Sequence, residues 1–539
     1  SPQEAYRAGA AVVATSQSTY ANQMDIASVI PGVFRGLLDV RATHFSVPAE
    51  IAAAEAIAAL IPDDELHANY ISPKIFDYQV APAVAAAVAE ATVAGGYAKR
   101  PEVTPETVAE RTLTCVYEGK FPIPGKSEEE LNISEESLEL HERFQGLLEV
   151  CSNVPVKDEH ILKQIYLVPG AMEPVRLIRE QIEQVNDITA RGNLVGVVSD
   201  GSAVLGLGNI GGRAALPVME GKAILFNTFA GVEAFPICLN TQDADEIIEI
   251  VKRLEPTFGG INLEDISAPR CFYIEEQLKA QTDIPIFHDD QHGTAVVVLA
   301  GLTNAARLSG KKIEDLSVVV NGAGASAIAV TKLLMAKGLH DVILLDRSGA
   351  IYKGRKGLNP YKVEMAEITN PDLVKGDLAT VVRDRDVFIG LSAPGVMTPD
   401  MVASMAPDPI VFALANPTPE IMPDLALEAG AAIVATGRSD FPNQVHNSLA
   451  FPGIFRGALD ARVRNITDAM KITAAEAIAG LVDDKALKPD WIIPKGTDFT
   501  VAPAVAEAVA RTAVETGEAR VEVDPSAVAA KVRRFVYES

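Results

Sequence analysis

Two pairs of acidic residues each follow a short apolar segment of the sequence. Glu264 and Asp265 form the first pair, and Asp289 and Asp290 form the second. If both segments are strands of one parallel sheet, the two pairs lie at strand ends that face the same ligand crevice. Carboxylates that converge there repel one another unless a divalent cation binds, and hard oxygen ligands suit Mg²⁺ or Mn²⁺. The pattern therefore indicates a metal site, with solvated loops or helix caps as the alternative.

A glycine-containing turn follows the apolar segment 317–321 and precedes a helical pattern. Gly322 permits the tight turn, and Gly324 lets the backbone approach a pyrophosphate, which the start of the following helix attracts. Asp346 comes about 20 residues later, where an acid can bind a ribose hydroxyl. The segment therefore predicts dinucleotide binding. Asp346 favours NAD, whereas the neighbouring Arg347 could accommodate the 2′-phosphate of NADP, which stays the alternative cofactor.

Lys222 and three histidines are further candidates for chemistry. Lys222 is predicted to begin a strand, either as an exposed lysine or as a base whose pKa is altered by burial and nearby carboxylates. The glycine-rich segment 198–212 lacks the closing Gly-Lys-Ser/Thr of a P-loop, which argues against an NTPase. His288, His292 and His446 lack the spacing of a helical metal site, so capping or packing roles are expected for them.

The elements that position these residues alternate between short apolar segments and helical patterns from about residue 135 onward. This alternation predicts an α/β fold with mostly parallel sheets, in two lobes that divide near residue 290. The predicted strands are 194–199, 223–226, 261–263, 284–287, 317–321, 342–345, 387–391, 410–415 and 432–436.

The beginning of the chain repeats its end. Residues 1–118 match residues 422–538, and Pro-Gly-Val-Phe-Arg-Gly at 31–36 corresponds to Pro-Gly-Ile-Phe-Arg-Gly at 452–457. Two distant copies are not a solenoid, which needs at least about three adjacent units. The first copy is predicted to be a non-catalytic duplicate with a turn at 31–36 and a packed helix, not a membrane span, within 80–98. Its apolar surface is expected to dock on the catalytic body or a neighbouring subunit, with an inert remnant as the alternative.

The composition is that of a globular protein, with 48% hydrophobic and 22% charged residues among 539. A formal net charge of −25 repels phosphate backbones and anionic lipid, so no nucleic-acid or membrane partner is expected. The four cysteines show no C-x-x-C spacing, and the N-terminus lacks a secretory pattern. These features predict a reduced, cytoplasmic protein.

Several of these segments resemble the short bacterial-type malic enzymes. The resemblance extends from about residue 135 to residue 539 and is carried by segments 198–211, 215–222, 229–237, 261–265, 288–294 and 415–418. It implies oxidative decarboxylation of L-malate to pyruvate and CO₂, with NAD(P) and Mg²⁺ or Mn²⁺. A homodimer or a higher homo-oligomer is expected.

The resemblance also implies roles for individual residues. Tyr166 corresponds to the general acid, Lys222 to the general base and Asp289 to the carboxylate that tunes the lysine. The implied metal ligands are Glu264, Asp265 and Asp290. With Asp346 added from its spacing, the nucleotide-binding residues are Gly322, Ala323, Gly324, Ala325, Ser326 and Asn416, and the substrate-binding residues are Lys222, Asn416 and Asn447.

The predicted fold is a split substrate- and metal-binding α/β domain with an inserted Rossmann-like domain and an extra, mostly helical N-terminal segment. Its parts are the duplicate at 1–119, a linker at 120–134, the malate and metal domain at 135–289, the NAD(P) domain at 290–437 and the returning C-terminal segment at 438–539. The same residues could support a malolactic or oxaloacetate-decarboxylating variant. One residue is inserted after Tyr166 relative to the family pattern, which motivates a second alternative, a catalytically weakened binding or assembly subunit.

Overall fold

The structure is a computed structural model, in which the chain divides into two compact units. The first comprises 1–145 and 149–180, and the second comprises 146–148 and 181–539. The described residues are 2–15, 22, 24, 29–73, 77–113, 133–144, 146–168, 170–204 and 206–538. Most of the predicted linker at 120–134 lies outside them.

The first unit is built from helices. They are α1 (Pro2–Arg7), α2 (Ile30–Asp39), α3 (Val47–Ala58), α4 (Val80–Ala94), α5 (Pro105–Leu113), α6 (Ile133–Phe144), α7 (Glu159–Ile165) and α8 (Met172–Glu180). The turn predicted at 31–36 is wrong, because these residues lie within α2. Pro31 occupies the first turn of that helix, where an N–H group has no helical partner to lose. The packed helix predicted within 80–98 is confirmed as α4.

Glycines let α2 and α4 approach each other closely. A methyl group added at Gly32 would lie 2.7 Å from the carbonyl oxygen of Ala81, and one added at Gly36 would lie 2.5 Å from that of Ala85. Val84 of α4 is fully buried at the same contact. The sequence therefore fixes this helix pair through the absence of side chains as much as through apolar ones.

The second unit contains two sheets and the remaining helices. Its helices are α9 (Val185–Ile188), α10 (Gly212–Ala230), α11 (Ala244–Leu254), α12 (Arg270–Gln281), α13 (Asp289–Leu308), α14 (Ala325–Ala336), α15 (Pro360–Ile368), α16 (Leu378–Val381), α17 (Pro399–Ala403), α18 (Pro423–Glu428), α19 (Phe451–Asp460), α20 (Asp468–Gly480), α21 (Val501–Glu515) and α22 (Pro525–Glu538). Its strands are β1 (Leu194–Ser199), β2 (Glu233–Cys238), β3 (Gly260–Leu263), β4 (Ile286–His288), β5 (Ser317–Asn321), β6 (Asp341–Asp346), β7 (Gly349–Ala350), β8 (Val387–Gly390), β9 (Ile410–Ala413) and β10 (Ile433–Thr436).

The predicted α/β fold with mostly parallel sheets is confirmed. The smaller sheet has the order β2-β1-β3-β4, and the larger has the order β10-β9-β8-β5-β6-β7. All described pairings are parallel except that of β6 with the short β7. Helix α13 leaves the smaller sheet directly after β4, and its Val296–Leu299 stretch is at most 1% exposed. Among the described residues, no helix combines the length and apolar character needed to cross a membrane.

In the part of the chain that forms the smaller sheet, one predicted strand is wrong and one strand was missed. The strand predicted at 223–226 is wrong, because these residues belong to the long helix α10. A run of four apolar residues is compatible with either a buried strand or a buried part of a helix, and periodicity alone does not distinguish the two. Strand β2 was not predicted. It contains Pro236 and lies at the edge of the sheet, the position in which a strand tolerates proline.

Candidate active site

The carboxylates converge because β3 and β4 are parallel neighbours, with Leu263 paired to His288. The residues that follow these strands therefore meet at one edge of the sheet. Carboxylate oxygens of Glu264, Asp265 and Asp290 all lie within 4.8 Å of one another. The backbone N–H of Asp265, at φ 55°, donates to Asp290 Oδ2 over 2.8 Å. This arrangement offers three oxygen donors to a single ion.

Lys222 lies beside this cluster and is 8% exposed. The expectation that it begins a strand is wrong, because it projects from α10. Its Nζ donates to Asp289 Oδ2, lies 3.0 Å from Glu264 Oε1 and sits 4.1 Å from the centroid of the Phe451 ring. The ammonium is thus held by two carboxylates and one aromatic face.

Burial and charge act against each other in this cluster. Burial alone would lower the pKa of Lys222, but Asp289 and Glu264 raise it above its ordinary value. Burial raises the pKa of Asp265 to about 9, and the neighbouring Asp290 and Glu264 add to the rise. The carboxylates outnumber the single ammonium. A hard divalent cation would supply the missing positive charge, and the oxygen donor set fits Mg²⁺ or Mn²⁺.

Neighbouring residues fix the cluster from behind. Asn262 Nδ2 donates to Glu264 Oε2 over 2.7 Å. A methyl group added at Gly293 would lie 1.8 Å from Asp289 Oδ1 and 3.2 Å from Asn447 Cβ. The bare backbone at this glycine therefore leaves room for the carboxylate, and Asn447 reaches the same turn of α13.

The three histidines take the capping and packing roles expected of them. His446 Nδ1 accepts from the backbone N–H of Ser448 over 3.2 Å, and burial together with the charge of Lys222 lowers the pKa of His446 to about 4. His292 Nε2 donates to Glu275 Oε1 over 2.7 Å. His288 is fully buried at the start of α13.

The predicted nucleotide turn has the expected geometry. Gly322 has a φ of 135°, and a methyl group there would lie 2.4 Å from the carbonyl oxygen of Leu391. A methyl group at Gly324 would have no atom within 4 Å, so the space above the backbone is open. Helix α14 begins at Ala325 without a side-chain cap, so its first N–H groups, including that of Ser326, can bind a phosphate. Ala323 links the two glycines.

Asp346 ends β6, but two cations already hold its carboxylate. Arg355 donates to Asp346 Oδ1 over 2.6 Å and Lys362 to Oδ2 over 2.8 Å. Burial alone would raise the pKa of Asp346, yet the bonds from Lys362 and Arg355 lower it to about 2. Arg347 is exposed. Asn416 lies beyond the end of β9, where its amide would meet a side chain at Gly437 at 2.7 Å.

Tyr166 lies in the first unit, unlike every other candidate residue. It caps the C-terminal end of α7, where its backbone N–H donates to Leu162 over 3.0 Å, and it is 61% exposed. Its role as general acid stays a prediction.

Sequence reasoning did not select several residues that shape the site. These are Asn262, Gly293, Arg355, Lys362 and Phe451. The repeat offered a signal for Phe451, because the matching residue of the first copy is Ile30 and that copy has no equivalent of Lys222. Arg355 and Lys362 follow Asp346 within sixteen residues, and their basic character was the available signal.

A dinucleotide-type turn and a buried carboxylate-lysine cluster define an α/β enzyme equipped for a nucleotide and a divalent cation. The family model for the malic enzyme NAD binding domain matches residues 291–514, and that for the malic enzyme N-terminal domain matches residues 165–279. The bifunctional malic/malolactic enzyme of Bacillus subtilis is 59% identical over 406 residues, which are 75% of this chain and 99% of that protein. The chain belongs to the malic enzyme family, and the family resemblance seen in the sequence is confirmed.

Two further comparisons, one with the sequence of a relative and one with a solved structure, also match malic enzymes. The NAD-dependent malic enzyme of Geobacillus stearothermophilus is 53% identical over 390 residues, covering 72% of this chain and 81% of that protein. The crystal structure of malic enzyme from Pyrococcus horikoshii matches with a TM-score of 0.73 and 45% identity, covering 75% of this chain and 96% of that one. The chain is therefore a member of a family of NAD(P)-dependent decarboxylating oxidoreductases.

Proposed function

We propose that the chain converts L-malate to pyruvate and CO₂ by oxidative decarboxylation, with reduction of NAD(P). The observation that carries this proposal is Lys222, an ammonium buried beside Asp289 and next to three carboxylates that suit a divalent cation. A divalent cation at the three carboxylates would lower the pKa of Lys222, so that its amine could take the proton that the hydroxyl of a 2-hydroxy acid loses as its carbon is oxidised.

The residues divide the work as follows. Lys222 exchanges the proton of the C2 hydroxyl at Nζ, and Asp289 holds that nitrogen in place. Glu264, Asp265 and Asp290 would hold the divalent cation, which would supply Lewis-acid chemistry, and residues 322–326 would hold the NAD(P) that would supply the hydride acceptor. Asn416 and Asn447 are the amides that bind substrate, and Tyr166 protonates the enol carbon after CO₂ leaves. 

Several finer points belong to the same proposal. NAD is the preferred cofactor, because the negative charge of Asp346 would repel the 2′-phosphate of NADP. NADP is the alternative, because the cations Arg355 and Lys362 lie beside that carboxylate. The metal is Mg²⁺ or Mn²⁺. The enzyme is proposed to be a cytoplasmic homodimer or higher homo-oligomer, with no nucleic-acid or membrane partner.

Assays of reduced-cofactor formation from L-malate with Mn²⁺, run separately with NAD and NADP, test the function. Lys222→Ala should lose about 10³-fold in kcat, since a positioned base contributes about 10²–10⁴-fold. Lys485→Ala, at an exposed lysine, is the matched control and should keep wild-type rates. Asp265→Ala should lose malate oxidation but retain nucleotide binding by calorimetry. Undiminished turnover in Lys222→Ala would contradict the assignment.

Tyr166→Phe separates the two proton-transfer roles. It should retain more cofactor reduction than Lys222→Ala, because the tyrosine acts only after oxidation. Its loss should appear when enolpyruvate supplied from outside is converted to pyruvate. Equal losses in both assays would remove Tyr166 from the proposed role.

A second candidate function is the conversion of malate to lactate and CO₂. The name of the B. subtilis relative, which includes malolactic activity, favours it. Lactate formed from malate without net NADH accumulation would support this function, and pyruvate with stoichiometric NADH would support the first.

A further inference from the structure

A cavity of about 390 Å³ lies within the second unit, apart from the carboxylate cluster. Helices α12, α13, α14, α15 and α20 all contribute to its walls. Its volume falls in the range of small-molecule sites, about 300–1,000 Å³. Nothing in the proposed reaction uses this space.

The floor of the cavity is a chain of paired charges. His292 Nε2 donates to Glu275 Oε1 over 2.7 Å, and Lys471 Nζ lies 3.3 Å from His292 Nδ1. Lys471 is also paired with Asp468 at 2.6 Å, and Lys279 with Glu275 at 2.7 Å. The Nδ1 atom of His292 faces the ammonium of Lys471, so the proton of the ring lies on Nε2. The charged groups of the floor are therefore paired with one another.

The rim differs from the floor. Lys332 is paired with Glu364 at 2.6 Å, whereas Glu276 has no hydrogen-bond or ion-pair partner among the residues that the structure describes. The lining contains four carboxylates and three ammonium groups, so the negative side chains exceed the positive ones by one. Glu276 accounts for that excess. The cavity therefore attracts a cation and repels an anion.

The remaining walls suit an organic cation better than a bare metal ion. The rings of Phe272 and Tyr361 contact each other with centroids 4.5 Å apart and planes tilted by 43°, and both line the cavity beside the rim carboxylates. Aromatic faces attract ammonium groups, and they do so more strongly when water is excluded. Ile328 and Leu333 supply an apolar wall from α14. A hard metal ion binds oxygen ligands and would gain nothing from this apolar and aromatic surface.

We infer that this cavity binds a small organic ammonium ion, whose head lies at Glu276 beside Phe272 and Tyr361 and whose hydrocarbon part packs on Ile328 and Leu333. The site is placed to influence the carboxylate cluster, because Glu275 on its floor also accepts from Gln291 Nε2 over 3.2 Å. Gln291 directly follows Asp290 on the first turn of α13.

Calorimetric titration of the full chain with a matched set of probes tests the inference. The set is n-butylammonium, n-butanol and butyrate, which share a carbon chain and differ in the head group, at constant ionic strength in potassium chloride. n-Butylammonium should bind in the low millimolar range, at least about tenfold more tightly than the other two. Butanol binding as tightly as butylammonium would overturn the inference, as would no binding of the amine.

Variants locate the binding. Glu276→Gln keeps the size of the side chain and removes its charge, so it should weaken butylammonium binding about tenfold. Glu428→Gln, at an exposed glutamate on α18, is the matched control and should leave the affinity unchanged. Unchanged malate oxidation in both variants separates this result from the proposed function. Equal affinities in Glu276→Gln and wild type would place the amine elsewhere and overturn the site.

Discussion

The two copies of the repeat share their internal packing but differ in the surface they leave uncovered. In the first copy α2 packs on α4, and in the second α19 packs on α21 through the equivalent glycines. A methyl group at Gly32 or at Gly453 would meet the valine Cβ of the partner helix at 2.7 Å in both copies. The outer face diverges, because Phe34 is 58% exposed and Phe455 is fully buried.

A buried asparagine confirms how closely the two copies agree inside. Asn22 and Asn443 have φ angles of 55° and 54°. Each side chain joins three backbone groups of its own copy, at 13, 68 and 71 in the first and at 434, 489 and 492 in the second. The arginine pairs match as well, Arg35 with Asp39 and Arg456 with Asp460. Small residues and local hydrogen bonds therefore build the same helical unit in either setting.

What differs is the contact with the sheet that carries the chemistry. Phe455 lies 5.2 Å from the ring of Phe226 on α10 and 5.7 Å from that of Phe287 on β4. Only the second copy supplies Phe451 to Lys222 and Asn447 to the turn of Asp289. In the first copy Ile26 matches Asn447, and it lies outside the described residues. The residues inside each copy therefore determine its helical packing, whereas the residues on its outer face determine whether it contacts the proposed site.

Among exchanges between the two copies, the largest effect on activity should come from placing the first copy's isoleucine at position 447. Asn447→Ile should lower kcat/KM for malate by about 10²-fold or more, because the amide proposed to bind the charged substrate is lost and no polar group replaces it. Steady-state kinetics measures this. Thr516→Gly, which moves the first copy's residue to a helix end away from the site, is the control. Wild-type kinetics in Asn447→Ile would remove Asn447 from the site.

The two matched phenylalanines, Phe34 and Phe455, should differ in how much they contribute to stability. Phe455→Ala leaves a cavity against two other rings and should destabilise the second unit by about 3–5 kcal/mol. Phe34→Ala changes an exposed side chain and should cost less than about 0.5 kcal/mol. Urea denaturation of both variants gives the two values. Similar losses would mean that Phe34 is covered in solution.

The glycine contacts should instead respond alike. Gly32→Ala and Gly453→Ala each push a methyl group to within 2.7 Å of a valine on the partner helix, so each should destabilise its own copy by about 1–3 kcal/mol. Hydrogen exchange followed separately in α4 and α21 resolves the two effects. A loss in only one copy would show that the internal packing depends on its surroundings after all.

The smallest effect on chemistry should follow removal of the first copy. A chain without residues 1–118 should keep its kcat within about twofold, since this copy supplies no Lys222 or carboxylate cluster. If the copy docks, the truncated chain should melt at a lower temperature or change its subunit association. Identical stability, assembly and kinetics would support the inert remnant.

Some of this could be predicted from sequence, and the pattern of successes has a physical basis. Strands β1 and β5 were predicted to the residue, because short valine-rich segments bounded by polar residues favour a buried strand. The carboxylate cluster was predicted because parallel strands bring their ends together. Lys222 was misplaced onto a strand because its helix is long and apolar on more than one side. Phe451 and Gly293 could not be selected, since their importance depends on what lies opposite them in space.

Asp346 bears on how such an enzyme can change over generations. Its carboxylate occupies both Arg355 and Lys362. In the proposed nucleotide site, replacing this single acid would free Lys362, while Arg355 would keep its bonds to the carbonyl oxygens of Gly349 and Ala350. Discrimination that would otherwise require an acid to be lost and a base to be gained is one substitution away. Under the proposed assignment, a lineage carrying this arrangement would be able to exchange NAD for NADP in a single mutational step, without passing through a form that binds neither cofactor.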